Sequence, residues 1–234
     1  MATTGHTVKA FDEDLGELRA LVSEMGGRAE SAINDAVAAL IQRNADAALG
    51  IVAGDKRIDE IEAEVERRVV RLIALRAPMA DDLREVLAAM KISSVIERIG
   101  DYAKNIAKRV PVLADESRIE AGTLLSAMGK AVAQMVHDVL DAFAARDPHK
   151  AAEVWARDKT IDDFYNSLFR TLLTHMMENP HSITASTHLL FIGKNLERMG
   201  DHATNVAEMV YYAATGEQLG ERTRGADAFA PEEH

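Results

Sequence analysis

The chain has 234 residues, 47% hydrophobic and 28% charged with only 5 prolines, a composition that supports a packed core and excludes a disordered polymer. It has no cysteine, which removes disulfides, thiolate metal sites and cysteine nucleophiles together. A net charge of -11 disfavours nucleic acid as the main partner, since affinity there comes from Lys and Arg neutralising phosphates; cations or basic protein surfaces suit it better.

Alanine, leucine, glutamate and arginine abound, and strand-like alternation is absent. A first long helix is expected over 7–44, with apolar positions at Leu15, Leu18, Val22, Met25, Ala29, Ala32, Ala36 and Leu40. A second runs over 46–76, with a break near Gly50 and Gly54, and Pro78 ends it. The third, over 80–113, has a seam at Ile92, Ile96, Ile99, Ala103, Ile106, Val110 and Leu113, in steps of four and three that suit a bundle.

Helices over 118–146, 148–178 and 182–215 repeat this plan, the last with a seam at Leu189, Ile192, Leu196, Met199, Ala203, Val206 and Val210. Identities at a fixed offset carry the repeat. Met25-Gly26, Arg43, Asp55-Lys56 and Ile58-Asp59 recur 103 residues on as Met128-Gly129, Arg146, Asp158-Lys159 and Ile161-Asp162. In the third helix the offset falls to 100, and Glu97-Arg98-x-Gly100-Asp101-x-Ala103-x-Asn105 returns as Glu197-Arg198-x-Gly200-Asp201-x-Ala203-x-Asn205. The expected fold is all-α, two tandem pseudo-symmetric three-helix bundles of six helices, over 1–114 and 115–216. The residues 217–234 lose all periodicity and are expected to form a loose tail.

Asp55 and Asp59 lie one helical turn apart on one face, as do Glu97 and Asp101, Asp158 and Asp162, and Glu197 and Asp201. One such pair is usually a solvated face, and Lys104, Arg98, Lys56 and Lys159 are near enough to serve as ion-pair partners. The register across each hairpin argues for more. Residues equidistant from the apex of an antiparallel hairpin are level with one another. Asp59 and Glu97, and likewise Asp55 and Asp101, are equidistant from Pro78. Asp162 and Glu197, and Asp158 and Asp201, are equidistant from the Asn179–Pro180 peptide. Each hairpin therefore gathers four carboxylates, which repel unless a cation joins them.

Oxygen-only ligation points to divalent or trivalent metal ions: magnesium, manganese or iron, with zinc and calcium as further candidates. Asn105 and Asn205, one turn on, would add an amide oxygen or orient the carboxylates. Gly100 and Gly200 stand mid-helix, where glycine costs about 1 kcal/mol against alanine, and suggest a close helix approach beside each site. The histidines do not recur at equivalent positions; His202, beside Asp201, is the one placed to touch a cluster. No phosphate loop, nucleophile elbow or nucleophile–base pair is present, and no catalytic residue is expected.

The doubled pairs, Asp55-x-x-x-Asp59 with Glu97-x-x-x-Asp101 and Asp158-x-x-x-Asp162 with Glu197-x-x-x-Asp201, resemble the E(D)xxxD motifs of the PhoU family. His6, Phe11-Asp12, Leu15, Leu18 and Met25-Gly26 are similar to that family's first helix, and the likeness spans about 6–215. The resemblance implies a non-enzymatic negative regulator of phosphate uptake and phosphate-starvation signalling. Its implied partners are the ATPase subunit of a phosphate ABC importer and a sensor histidine kinase, with metal ions at the paired motifs and a homodimer as the assembly. Membrane association would then be peripheral, through partners. The segment MATTGHTVKAFDEDLGEL holds no secretion signal and no stretch reaches ~20 apolar residues, so a cytoplasmic location is expected. A metal-storage or di-metal redox protein and a metal-free helical adaptor are the alternatives; the first is disfavoured because no Glu-x-x-His motif lies on a helix seam facing into a four-helix core.

Overall fold

The computed structural model describes residues 3–114 and 121–220, and every regular element among them is helical. The first half contains α1 (Thr3–Gln42), α2 (Ala45–Gly54), α3 (Lys56–Arg76), α4 (Asp81–Ala107) and the short α5 (Val110–Ala114). The second contains α6 (Gly122–Ala145), α7 (Pro148–Trp155), α8 (Asp158–Glu178), a 3-10 turn at Pro180–Ser182, and α9 (Ile183–Thr215). The six expected helices are present with three interruptions, at Asp55, at Lys108–Arg109 and at Ala156–Arg157. Each break is a tightening of the helix and not a loop: Arg157 N–H donates to the Val154 carbonyl at 3.0 Å, and Arg109 N–H to that of Ile106 at 3.0 Å. The expected helix start at 118, and the tail from 221 on, lie outside the described residues.

The repeat holds at the level of the backbone. Arg43 and Arg146 end α1 and α6 in the left-handed region, at φ 57° and 54°. Asn44 and Asp147 then cap the next helix, the Asn44 side chain accepting from Ala47 N–H at 3.0 Å and that of Asp147 from His149 and Lys150 N–H at 2.9 and 3.1 Å.

Helices α1, α4, α9 and α6 form a closed ring in which each packs on the next. Helix α3 lies against α1 and α4, and α8 against α9 and α6. The two three-helix units thus share one core, and every position of both expected isoleucine- and leucine-rich seams is buried in it. One expected position differs: Ala32 is only half-buried, and Ile33 turns inward instead. The reason is that α2 stands off from α1 there, leaving a cleft that Ala32 lines.

A pseudo-two-fold axis relates the halves, and the repeated Met-Gly pair explains itself on it. A Cβ on Gly26 would lie 2.2 Å from Leu140 Cδ1, and one on Gly129 would lie 2.7 Å from Val37 Cγ2. Leu140 is itself the repeat equivalent of Val37. Each glycine is the hole for the other repeat's knob, so α1 and α6 approach closely. Helices α4 and α9 run antiparallel, with Tyr102 stacked on His202 at 5.5 Å between ring centroids and Arg109 bonded to His188 at 3.0 Å. Glu85 in the second turn of α4 is buried between Arg19 of α1 and Arg146, whose Nη2 stands 3.2 Å away, and so ties the two halves together. Among the described residues no helix is long and apolar enough to cross a membrane.

Candidate functional site

The first carboxylate cluster lies on the α3–α4 hairpin. Asp55 sits at the junction of α2 and α3, with a side chain only 5% exposed, and Ile58 one turn on packs against Gly100. A Cβ on Gly100 would stand 2.8 Å from Ile58 Cδ1, so the glycine lets α3 come close enough for the carboxylates to meet. The Lys104 ammonium, one turn beyond Asp101 on α4, bridges the hairpin, 2.5 Å from Asp55 Oδ2 and 2.9 Å from Asp101 Oδ1. Asp55 and Asp101, equidistant from Pro78, thus share one ammonium across the hairpin.

Asp59 and Glu97 form the other end of this cluster. Burial pushes the Glu97 carboxyl up to about 7, helped by Asp101, with which it shares a hydrogen bond, and by Glu62 and Asp59. Asp59 is raised too, first by burial and then by Asp55, with Lys104 acting against them. Glu62 was not among the expected residues. Its spacing of three from Asp59 is the signal that could have found it, and its repeat equivalent Tyr165 shows why the repeat test could not.

The second cluster is built on the same frame with different neighbours. Asp158 opens α8, Asp162 follows one turn on, and Ile161 between them packs on Gly200, which sets this turn beside Asp201. Glu197 is largely buried, with its carboxyl raised by burial, and it accepts from Lys194 Nζ at 2.6 Å. Lys194 also stands over the Tyr165 ring at 5.2 Å. In each cluster a lysine meets a motif carboxylate, from different positions: Lys104 has Thr204 as its equivalent, and Lys194 has Ser94.

Asn105 is exposed and Asn205 half-buried, each one turn beyond the aspartate of its motif. His202 stacks on Tyr102 at the α4–α9 contact, and its imidazole is lowered by burial and by Arg98 and Arg198. As the side chains stand, no three His, Asp or Glu groups among the described residues form a ready metal cage. Lys104 takes the place between Asp55 and Asp101 where a cation would lie. The donor set nonetheless suits a hard ion: all oxygen, partly buried, and with Glu97 and Asp59 held above their ordinary range by burial first and then by neighbouring carboxylates whose repulsion a cation would relieve.

Known proteins share both the sequence and the fold. The PhoU domain family matches twice, over residues 22–110 and 125–210. A Zymomonas mobilis protein described as a phosphate-specific transport system accessory protein PhoU homolog is 59% identical over 228 residues, 97% of this chain and 96% of its own. A Caulobacter vibrioides protein of the same description is 51% identical over 217 residues, covering 92% of this chain and 94% of its own. The crystal structure of PhoU from Pseudomonas aeruginosa superposes with a TM-score of 0.85 at 36% identity, over 88% of this chain and 100% of that one. That of the phosphate transport system regulatory protein PhoU from Streptococcus pneumoniae gives 0.84 at 32% identity, over 90% and 100%.

Proposed function

The chain belongs to the PhoU family, and from that premise we propose that it is a cytoplasmic accessory protein of a phosphate-specific transport system that restrains phosphate uptake and phosphate-starvation signalling. It links the ATPase subunit of the phosphate importer to a sensor histidine kinase, and it carries out no catalytic step. The observation that carries the reading is the near-full-length likeness to relatives described as accessory proteins of that system. The fold suits the role: rigid ring helices present long faces, and large apolar side chains stand exposed near both hairpin tips, among them Val70, Leu75 and Met79 on one and Leu173 and Met177 on the other. Such tips support docking to partners or to a second copy in a homodimer.

Metal ions at the two clusters belong to the same proposal. Asp55, Asp59, Glu97 and Asp101 would hold one set, and Asp158, Asp162, Glu197 and Asp201 the other. A bound divalent or trivalent ion would supply positive charge that stabilises each hairpin and presents a cationic face to an acidic partner. The resident Lys104 and Lys194 favour a second reading, a metal-free adaptor whose clusters are neutralised internally. Elemental analysis after gentle purification separates the two. Replacing Glu97 and Asp101 with alanine should lower metal content, and unchanged content removes the first-half site.

The regulatory role is tested in cells. Deleting the gene should raise alkaline phosphatase output in phosphate-rich medium, and a pull-down from phosphate-replete cells should recover importer or kinase subunits. An unchanged output after deletion overturns the role.

A further inference from the structure

The two repeats differ where α2 and α7 lie on the long helices. In the second repeat Asp138 of α6, with a side chain 14% exposed, is largely covered by α7 and by Arg157 at the α7–α8 junction. Arg157 Nη1 donates to its Oδ2 at 2.5 Å, Lys150 Nζ stands 3.9 Å from its Oδ1, and Gln134 Nε2 donates to Oδ1 at 3.1 Å. The equivalent of Asp138 in the first repeat is again an aspartate, Asp35, and Ser31 stands where Gln134 does, donating to Asp35 Oδ2 at 3.0 Å. Both cations are missing: Gly54 replaces Arg157 and Ala47 replaces Lys150. Met135 and Glu153 likewise shrink to Ala32 and Gly50.

What remains is a cleft of about 560 Å³ between α1 and α2, walled by Ser31, Ala32, Asp35, Ala47, Gly50 and Gly54. A Cβ on Gly50 or Gly54 would meet nothing within 4 Å. Asp55 at the inner end is already held by Lys104, and Arg28 at the rim is turned to Glu24 at 3.1 Å. Among the described residues Asp35 makes no ion pair, although the same backbone frame in the second repeat seats a guanidinium on its counterpart. The second repeat thus acts as a template for what the first can bind.

The length of the cleft decides between a small molecule and a polymer. Its α1 wall runs from Arg28 to Gln42, which at 1.5 Å per residue is about 21 Å. That exceeds a compact metabolite, and alanine and glycine walls let a peptide backbone approach. The net charge of -11 favours a basic segment. We infer that the cleft between α1 and α2 receives a basic segment of a partner protein, one arginine of which seats its guanidinium on Asp35 as Arg157 is seated on Asp138. The inference rests on the accessory role proposed above, which requires a protein partner, and adds the place and chemistry of the contact.

The test uses the full-length chain, labelled for NMR, and a blocked alanine peptide with one central arginine. Saturable amide shifts are expected at Gly50 and Gly54, with binding about tenfold weaker for the neutral citrulline peptide and for D35N, since both remove the charge-assisted pair. G54R, which the open space accommodates, should place an internal arginine on Asp35 and abolish the shifts. Equal binding of the arginine and citrulline peptides, or shifts confined to the Glu97–Asp101 cluster, overturns the inference. Tighter binding of free agmatine than of the peptide overturns the partner segment in favour of a small guanidine. In cells G54R should lose repression of alkaline phosphatase in phosphate-rich medium. If G54R keeps repression where the gene deletion loses it, the cleft inference fails alone; if the deletion changes nothing, the accessory role fails instead.

Discussion

Replacing Lys104 with methionine keeps the aliphatic stem and removes the ammonium that bridges Asp55 and Asp101. The Asp55 side chain is 5% exposed and that of Asp101 44%, so the loss falls mainly on Asp55. Breaking a buried pair by removing one partner costs about 3–5 kcal/mol, and an exposed pair under about 1. Lys104 is a quarter exposed, so water enters when its charge is lost, and about 3 kcal/mol is the expected destabilisation in chelator-treated protein. For a folded chain of this size that lowers the melting temperature by about 6–12 °C. Lys194→Met in the second repeat is the internal comparison. Lys194 is 41% exposed and Glu197 14%, so a smaller loss, about 1–2 kcal/mol, is expected. Thermal melts should then be repeated with manganese or magnesium. A metal at a hundredfold excess over its dissociation constant restores about 2.7 kcal/mol, and it should stabilise K104M more than the parent, where the ammonium competes for the same oxygens. A K104M protein as stable as the parent in chelator, or equal stabilisation of both by metal, refutes the reasoning.

Three further outcomes follow from the structure. Gly26→Ala should destabilise by about 1–2 kcal/mol, because Leu140 blocks the added methyl, while Gly27→Ala, with nothing within 4 Å, should stabilise by about 0.5–1 kcal/mol; thermal melts that order the two the other way remove the pseudo-two-fold packing argument. In chelator-treated protein Glu97 ionises near pH 7 when folded and near 4.5 when unfolded, so its contribution is fully favourable below about pH 4.5 and is lost as pH rises to 7. Urea titrations of Glu97→Gln should show a flatter slope across that window than the parent, and identical slopes would count against the cluster's electrostatics. Glu85→Ala should cost about 2–4 kcal/mol by denaturant unfolding, since it leaves Arg19 and Arg146 without the carboxylate that joins them; a cost under about 0.5 kcal/mol would show that the contact does not tie the halves.

Much of the carboxylate site was legible because a helix has a fixed period. Asp55, Asp59, Glu97 and Asp101 could be placed on facing turns from their distance to Pro78, and Lys104 reaches both members of one such pair. The neighbours that decide the electrostatics were less visible. Lys104 could be named as a candidate partner, but whether its flexible stem reaches Asp55 depends on the spacing of α3 and α4, which Gly100 sets through contact with Ile58. Glu62 and Tyr165 escaped because they occupy equivalent positions with unlike chemistry, so a search for identities passes over them.

By itself the sequence determined the helices, the doubled plan, the two buried seams and the family likeness, because these depend on local periodicity and on residues retained at a constant offset. Only the tertiary structure decided that the two bundles share one ring-shaped core, that Met-Gly recurs because each glycine receives the other repeat's side chain, and that Asp35 faces an open cleft where Asp138 holds Arg157. Those features depend on how far apart two helix axes lie. That distance is set by side-chain volumes on both partners at once, and no single helix carries it.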